Sequence, residues 1–197
     1  MGDIWAIVLA AGESKRMNSP KMLLPVNGKS MIEKVVENIS ESRVDKTMVV
    51  TGAYSDEINK IIGSLPVTVC HNENYSDGML SSVKCAFRAI SEKAAAVMVF
   101  PGDKPWITPD VVNSLIESYR HEKKGIVIPV YLNRRGHPVL IDLKYRNEVA
   151  ILDPDEGLRS LAGLFPDDVM EVNTDTPGIL KDIDTYEDYV RSINQKP

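Results

Sequence analysis

Residues 4–10 read Ile4-Trp5-Ala6-Ile7-Val8-Leu9-Ala10, and the chain continues Ala11-Gly12-Glu13-Ser14-Lys15-Arg16-Met17. Seven apolar residues without alternation predict a strand covered on both faces, the habit of parallel strands in α/β proteins. Moving outward, residues 46–51 (KTMVVT), 67–71 (VTVCH) and 95–100 (AAVMVF) repeat this pattern. Between them, residues 31–39, 55–62 and 79–90 space their apolar positions by three and four, the helix period. A further helix is predicted over 108–119, with Thr108 as N-cap and Pro109 in the first helical position. The alternation of strand and helix predicts a three-layer α/β/α fold around a doubly wound, mostly parallel sheet.

Beyond Glu122 the rhythm changes. Residues 125–131 and 136–141 read as strands joined by the polar link Leu132-Asn133-Arg134-Arg135, which predicts a hairpin-like insertion and a mixed sheet. Short helices over 145–150 and 156–164, a strand over 169–172 and a helix over 186–193 complete the pattern. No repeat, low-complexity tract or linker divides the chain, so residues 1–197 are expected to form one domain.

With 197 residues, 43% hydrophobic, 26% charged and a formal charge of −5, the chain has the composition of an ordinary globular domain. It lacks the basic excess that covers nucleic-acid phosphates. The apolar start is too short to span a bilayer and is preceded by Asp3 rather than by basic residues. The expectation is therefore a cytoplasmic protein, neither exported nor anchored. Cys70 and Cys85 show no CxxC spacing and are expected to be buried, reduced thiols.

In open α/β sheets ligands bind beyond the carboxyl ends of the strands. There Leu9, Ala10, Ala11 and Gly12 form a small-residue turn that lets backbone N–H groups approach a phosphate. Arg16 and Lys21 follow, a fork and a point charge suited to a triphosphate. No GxGxxG is present, and Gly28-Lys29-Ser30 lacks the earlier glycine of a Walker loop, since position 23 is Leu23. Asp103 ends a strand in a Gly-Asp-x-Pro turn, where it either shapes the turn or serves a cation. Asp184, or Asp182 in the same Asp-Ile-Asp run, can supply a second carboxylate; Mg²⁺ takes one or two of these plus phosphates and water. Gly78, Ser81 and Ser82 open a helix and read either as a cap or as nucleotide contacts. His137 and Arg159 read equally as structural residues or as groups facing an acceptor. His71 and His121 are expected to be structural, and Trp5 and Trp106 to pack.

The run LAAGESKRM…PKMLLPVNGKSMIEKVVENI resembles the opening of the MobA-like NTP transferases. Tyr75 to Ser82, Pro101 to Ile107, Arg135 to Val139, Asp155 to Arg159 and Asp182 to Asp188 follow in the family's order, so the resemblance covers nearly the whole chain. It is most similar to the branch of molybdenum cofactor cytidylyltransferases. Lys104 stands where the family often has Met, and Tyr186 where it has Pro. The resemblance implies a fold of the nucleotide-diphospho-sugar transferase type and a Mg²⁺-dependent transfer, with pyrophosphate as the leaving group. It implies nucleotide contacts from Leu9, Ala10, Ala11, Gly12, Lys21, Gly78, Ser81, Ser82 and Asp103, with Arg16, Lys21 and Asp103 catalytic. It further implies metal on Asp103 and Asp184, and acceptor contacts from Arg135, His137 and Arg159. CTP is the expected donor and molybdopterin the expected acceptor, with a molybdoenzyme or its chaperone as a partner. Two competing readings are transfer to a sugar or alcohol phosphate and a non-catalytic accessory protein for a molybdoenzyme.

Overall fold

The computed structural model describes residues 2–17 and 19–194. The strands are β1 (Ile4–Ala10), β2 (Pro25–Val26), β3 (Lys29–Ser30), β4 (Lys46–Thr51), β5 (Thr68–His71), β6 (Ala96–Pro101), β7 (Ile126–Tyr131), β8 (Arg134–Arg135), β9 (Val139–Asp142) and β10 (Val169–Asn173). The helices are α1 (Met31–Ser40), α2 (Ser55–Ile62), α3 (Met79–Ala89), α4 (Pro109–Glu122), α5 (Arg146–Ile151), α6 (Arg159–Leu164) and α7 (Tyr186–Asn194). The main sheet runs β10-β7-β9-β6-β1-β4-β5, with β8 paired to β7. β1 pairs parallel to both β4 and β6, whereas β9 runs antiparallel between β6 and β7. The sequence insertion thus enters the sheet itself.

Strand alternation sorts the core into two layers. Ile4, Ala6, Val8 and Ala10 of β1 face Ile32, Val35 and Ile39 of α1, Ile58 of α2 and Val112 of α4. Trp5, Ile7 and Leu9 face the other way, onto Leu80, Val83 and Phe87 of α3, Val149 of α5 and Leu161 of α6. All seven β1 residues are buried, which is why that stretch shows no alternation of polarity. A third cluster packs Ile183 and Tyr189 against Met17, Val26 and Met31, holding the C-terminal segment over the start of α1.

Local chemistry sets the helix starts. Ser30 accepts a hydrogen bond from the Glu33 N–H, and the Glu33 carboxylate accepts from the Ser30 N–H, a capping box worth about 1 kcal/mol. The Walker-like Gly28-Lys29-Ser30 is therefore a turn and a cap. Thr108 occupies the N-cap of α4, but its hydroxyl makes no capping bond; Pro109 sets the first turn instead.

The chain leaves β1 for β4 on one side and reaches β6 on the other, so the strand order reverses at β1. The loops after β1 and β6 meet at this switch point, and the Gly102 N–H donates to the Leu9 carbonyl at 3.0 Å. A Cβ on Gly102 would lie 2.7 Å from that carbonyl oxygen and 2.8 Å from Met22 Sδ. Around Gly12 nothing lies within 4 Å of such an atom. Gly102→Ala is expected to cost about 1–3 kcal/mol by chemical denaturation, while Gly12→Ala stays within about 0.5 kcal/mol.

Candidate active site

The loop after β1 is braced by Ser14, at φ 53°, whose Oγ accepts the Lys21 backbone N–H at 3.1 Å. That bond returns the chain so that Lys21 crosses beneath the switch point. Lys21 Nζ lies 2.9 Å from Asp103 Oδ2 and 3.4 Å from Asp184 Oδ1. Arg16 Nη2 approaches Asp184 Oδ2 at 3.2 Å. Carboxylates from two distant parts of the chain thus converge on the Lys21 ammonium group. The Lys21 and Asp103 side chains are only 12% and 19% exposed, whereas that of Arg16 is 70% exposed. The first pair is held in a region of low dielectric, whereas the arginine pairs with Asp184 from the solvent side. The other oxygen of Asp103, Oδ1, is buried without a hydrogen-bond partner among the described residues.

These groups border a cleft of about 410 Å³. Leu9, Ala11, Gly12, Gly78, Ser82 and Asp184 stand on its wall with Lys21, Arg16 and Asp103. Ala10 does not: it is buried in the core layer beneath. Ser81 is also off the wall, and its hydroxyl is committed to the loop, donating toward the Asn74 and Gly78 carbonyls and accepting from Asn72 Nδ2 at 2.8 Å. Asn72, 2% exposed, also donates to Ser82 Oγ at 3.0 Å. Neither Asn72 nor Tyr75, which lines the cleft, was among the expected site residues. The signal for Asn72 was a polar residue just past the end of β5, and Tyr75 opens the stretch to Ser82 that carries part of the family resemblance.

A second cavity of about 510 Å³ holds Arg135, His137 and Arg159 around an apolar floor that includes Ile128, Val139 and Leu161. The two cavities share Met79. Arg135 Nε is paired with Glu171 at 2.6 Å, and Arg159 Nε donates to the Glu156 carbonyl at 3.0 Å. Asp182 is separated from Asp184 by its counter-ion: it bonds Lys104 Nζ at 2.5 Å rather than Lys21. His137 lines the second cavity and not the first. Burial first, and the Lys104 cation second, lower its pKa to about 4, against the opposing pull of Asp182 and Asp103. It is neutral at pH 7, with a buried Nδ1 that has no partner among the described residues.

The family model of the MobA-like NTP transferase domain matches residues 6–169. The chain belongs to that family. By family it is a nucleotidyltransferase of the MobA-like type. It is 29% identical over 191 residues to the molybdenum cofactor cytidylyltransferase of Escherichia coli, covering 96% of this chain and 95% of that one. At 28% over 207 residues, it matches the nicotine blue oxidoreductase of Paenarthrobacter nicotinovorans, covering 98% of this chain and all of that protein. It is 35% identical to part of the bifunctional protein GlmU of Shouchella clausii, where the match covers 64% of this chain and spans only 27% of the relative's length. The manganese complex of Rv0371c from Mycobacterium tuberculosis H37Rv superposes with a TM-score of 0.78 at 21% identity, covering 98% of this chain and all of that one. That likeness establishes the shared fold. Among the described residues no helix is long and apolar enough to cross a membrane.

The His137 environment sets a pH dependence. In the unfolded chain an imidazole takes up a proton near pH 6.5, whereas in the fold it does so only near pH 4. Between those values the unfolded state binds more protons, so the contribution is present above pH 6.5 and is lost as pH falls toward 4. Thermal melts of His137→Gln are expected to show a flatter fall in Tm across that window than the parent protein; an unchanged slope would mean that His137 titrates normally.

Proposed function

We propose that the chain transfers a nucleotidyl group, CMP from CTP, to the phosphate of a pterin-type acceptor, with pyrophosphate leaving. The observation that carries this is Lys21 Nζ shared by Asp103 and Asp184 at the mouth of a small-residue turn. Such a set matches a nucleoside triphosphate bound with a divalent cation. The donor chemistry fits Mg²⁺: Asp103 keeps an oxygen without a partner among the described residues, Asp184 shares Lys21 with it, and the remaining positions suit phosphate and water oxygens. The related fold that carries manganese supports the same expectation.

In this reading the Ala11-Gly12 turn offers N–H groups to the phosphates, and Lys21 and Arg16 turn from the carboxylates toward them. Asp103 and Asp184 would hold the cation, which when bound offsets charge on the triphosphate and on departing pyrophosphate. The acceptor occupies the second cavity, its ring over the apolar floor and its phosphate directed past Met79, with Arg135, Arg159 and neutral His137 orienting it. A phosphate nucleophile is ionised at neutral pH, so no strong base is required. Catalysis then consists of positioning and charge stabilisation. Ala11 narrows the space beside the turn, which favours a pyrimidine over a purine by about 1–3 kcal/mol. The cytoplasm is the expected compartment, with a molybdoenzyme or its chaperone as the recipient.

The relation to a nicotine blue oxidoreductase over nearly the full chain favours a second reading, in which the same cavities serve an oxidoreduction. Pyrophosphate release separates the two. The first reading expects release with CTP and a molybdopterin-type acceptor, stronger than with GTP, ATP or UTP, and none without an acceptor. Absence of release with every nucleotide would contradict it. Asp103→Asn is expected to lower kcat by about two to four orders of magnitude with the fold intact. Lys21→Ala should weaken CTP more than CMP by calorimetry, and equal weakening would place the lysine away from the β- and γ-phosphates.

A further inference from the structure

Lys104 is the least expected charge in the molecule. Its side chain is 4% exposed and immediately follows Asp103. A buried lysine requires compensation, and here Nζ bonds Asp182 Oδ1 at 2.5 Å and the Ile179 carbonyl at 3.3 Å. The same Ile179 carbonyl accepts the His137 backbone N–H at 3.1 Å. One residue earlier, Gly178 presses against Trp106 so closely that a Cβ would lie 2.4 Å from the Trp106 carbonyl oxygen. The segment 177–180 is therefore wedged between the turn that carries Asp103 and the turn that carries His137. From that wedge the chain runs directly into Asp182-Ile183-Asp184, where Ile183 is fully buried in the third cluster.

This anchoring leaves a choice that burial alone does not make. Asp182 and Asp184 flank the same buried residue: Asp184 lines the cleft, while Asp182 bonds the lysine that directly follows Asp103. Asp184 meets Arg16 and Lys21, of which the first is exposed and both suit phosphates. Asp182 meets Lys104, which is sealed in protein and lines neither cavity. The first pairing can be exchanged for a bound cation and nucleotide. The second is held in place, because releasing Asp182 would leave a buried ammonium group without its counter-ion.

We propose that Lys104 is a positioning residue that withholds Asp182 and so makes Asp184 the second carboxylate available to a divalent cation. This rests on the metal reading given above. Lys104 touches neither nucleotide nor acceptor; it acts through Asp182.

The test is Mn²⁺ binding to the full chain, followed by loss of the free-ion electron paramagnetic resonance signal, with Asp184→Asn introduced into three backgrounds. In the parent protein this change is expected to weaken Mn²⁺ binding about 10–100-fold. With Lys104→Met, the residue common in the related motif, Asp182 is released to substitute, and Asp184→Asn should cost less than about threefold. With Lys104→Met and Asp182→Asn together, no substitute carboxylate exists and the full loss should return. Lys104→Gln, which keeps a donor for the Ile179 carbonyl, runs the same comparison if the methionine variant does not fold. An equal cost of Asp184→Asn in the parent and in the lysine variants would overturn the proposal, because a merely structural lysine would not change which aspartate matters. Unchanged Mn²⁺ binding in both Asp103→Asn and Asp184→Asn of the parent would instead overturn the metal reading itself.

Discussion

A single ammonium group, Lys21 Nζ, is held between carboxylates from positions 103 and 184, and the arrangement around the switch point follows from that contact. Burying such a pair contributes little net stability, because desolvation offsets much of the Coulombic attraction. Removing one partner, however, leaves the other uncompensated. The contact fixes geometry: it draws the loop after β1, the end of β6 and the C-terminal segment to one place before any ligand arrives. Gly102 makes the approach possible, and Ile183 and Tyr189 hold the far end in the third cluster. Preorganisation of this kind lowers the ordering cost when a highly charged ligand binds.

The second consequence of the fold is the juxtaposition of two unlike cavities. One is bordered by small residues and charges, the other by an apolar floor with arginines at its rim. The antiparallel strand β9, inserted between β6 and β7, brings the His137 turn alongside Asp103. A donor and an acceptor can therefore lie side by side, with Met79 between them. Relatives named for cytidylyl transfer and for oxidoreduction each match this chain over nearly its whole length. Two adjoining sites of opposite character are a scaffold on which either could be built.

Much of this was legible in the sequence, for definite reasons. The unbroken apolar run of β1 announced a central strand, and the positions just beyond strand ends announced Gly12, Lys21 and Asp103. Other features depend on partners far away in the chain. Asp182 and Asp184 are the same residue two places apart, and only their separate counter-ions, Lys104 and Lys21, distinguish them. The hydroxyl of Ser81 matched the family motif, yet Asn72 and the loop carbonyls engage it. Cys70 and Cys85, expected as separate buried thiols, are both partly exposed, and their sulfurs lie 3.1 Å apart because β5 packs against α3. The two-residue strands β2, β3 and β8 were too short to carry any periodicity.

The central claim is that Asp103 and Asp184 form the cation site of a triphosphate-binding cleft, with Lys21 as their resident counter-charge. A crystal structure of the protein with a non-hydrolysable CTP analogue and Mn²⁺ tests it most directly, since anomalous scattering locates the ion independently of the surrounding atoms. The account predicts an anomalous peak within coordination distance of both carboxylates and of the phosphates, with Lys21 turned toward the nucleotide. An ion bound away from Asp103 and Asp184, or a nucleotide seated outside the Ala11-Gly12 turn, would contradict it.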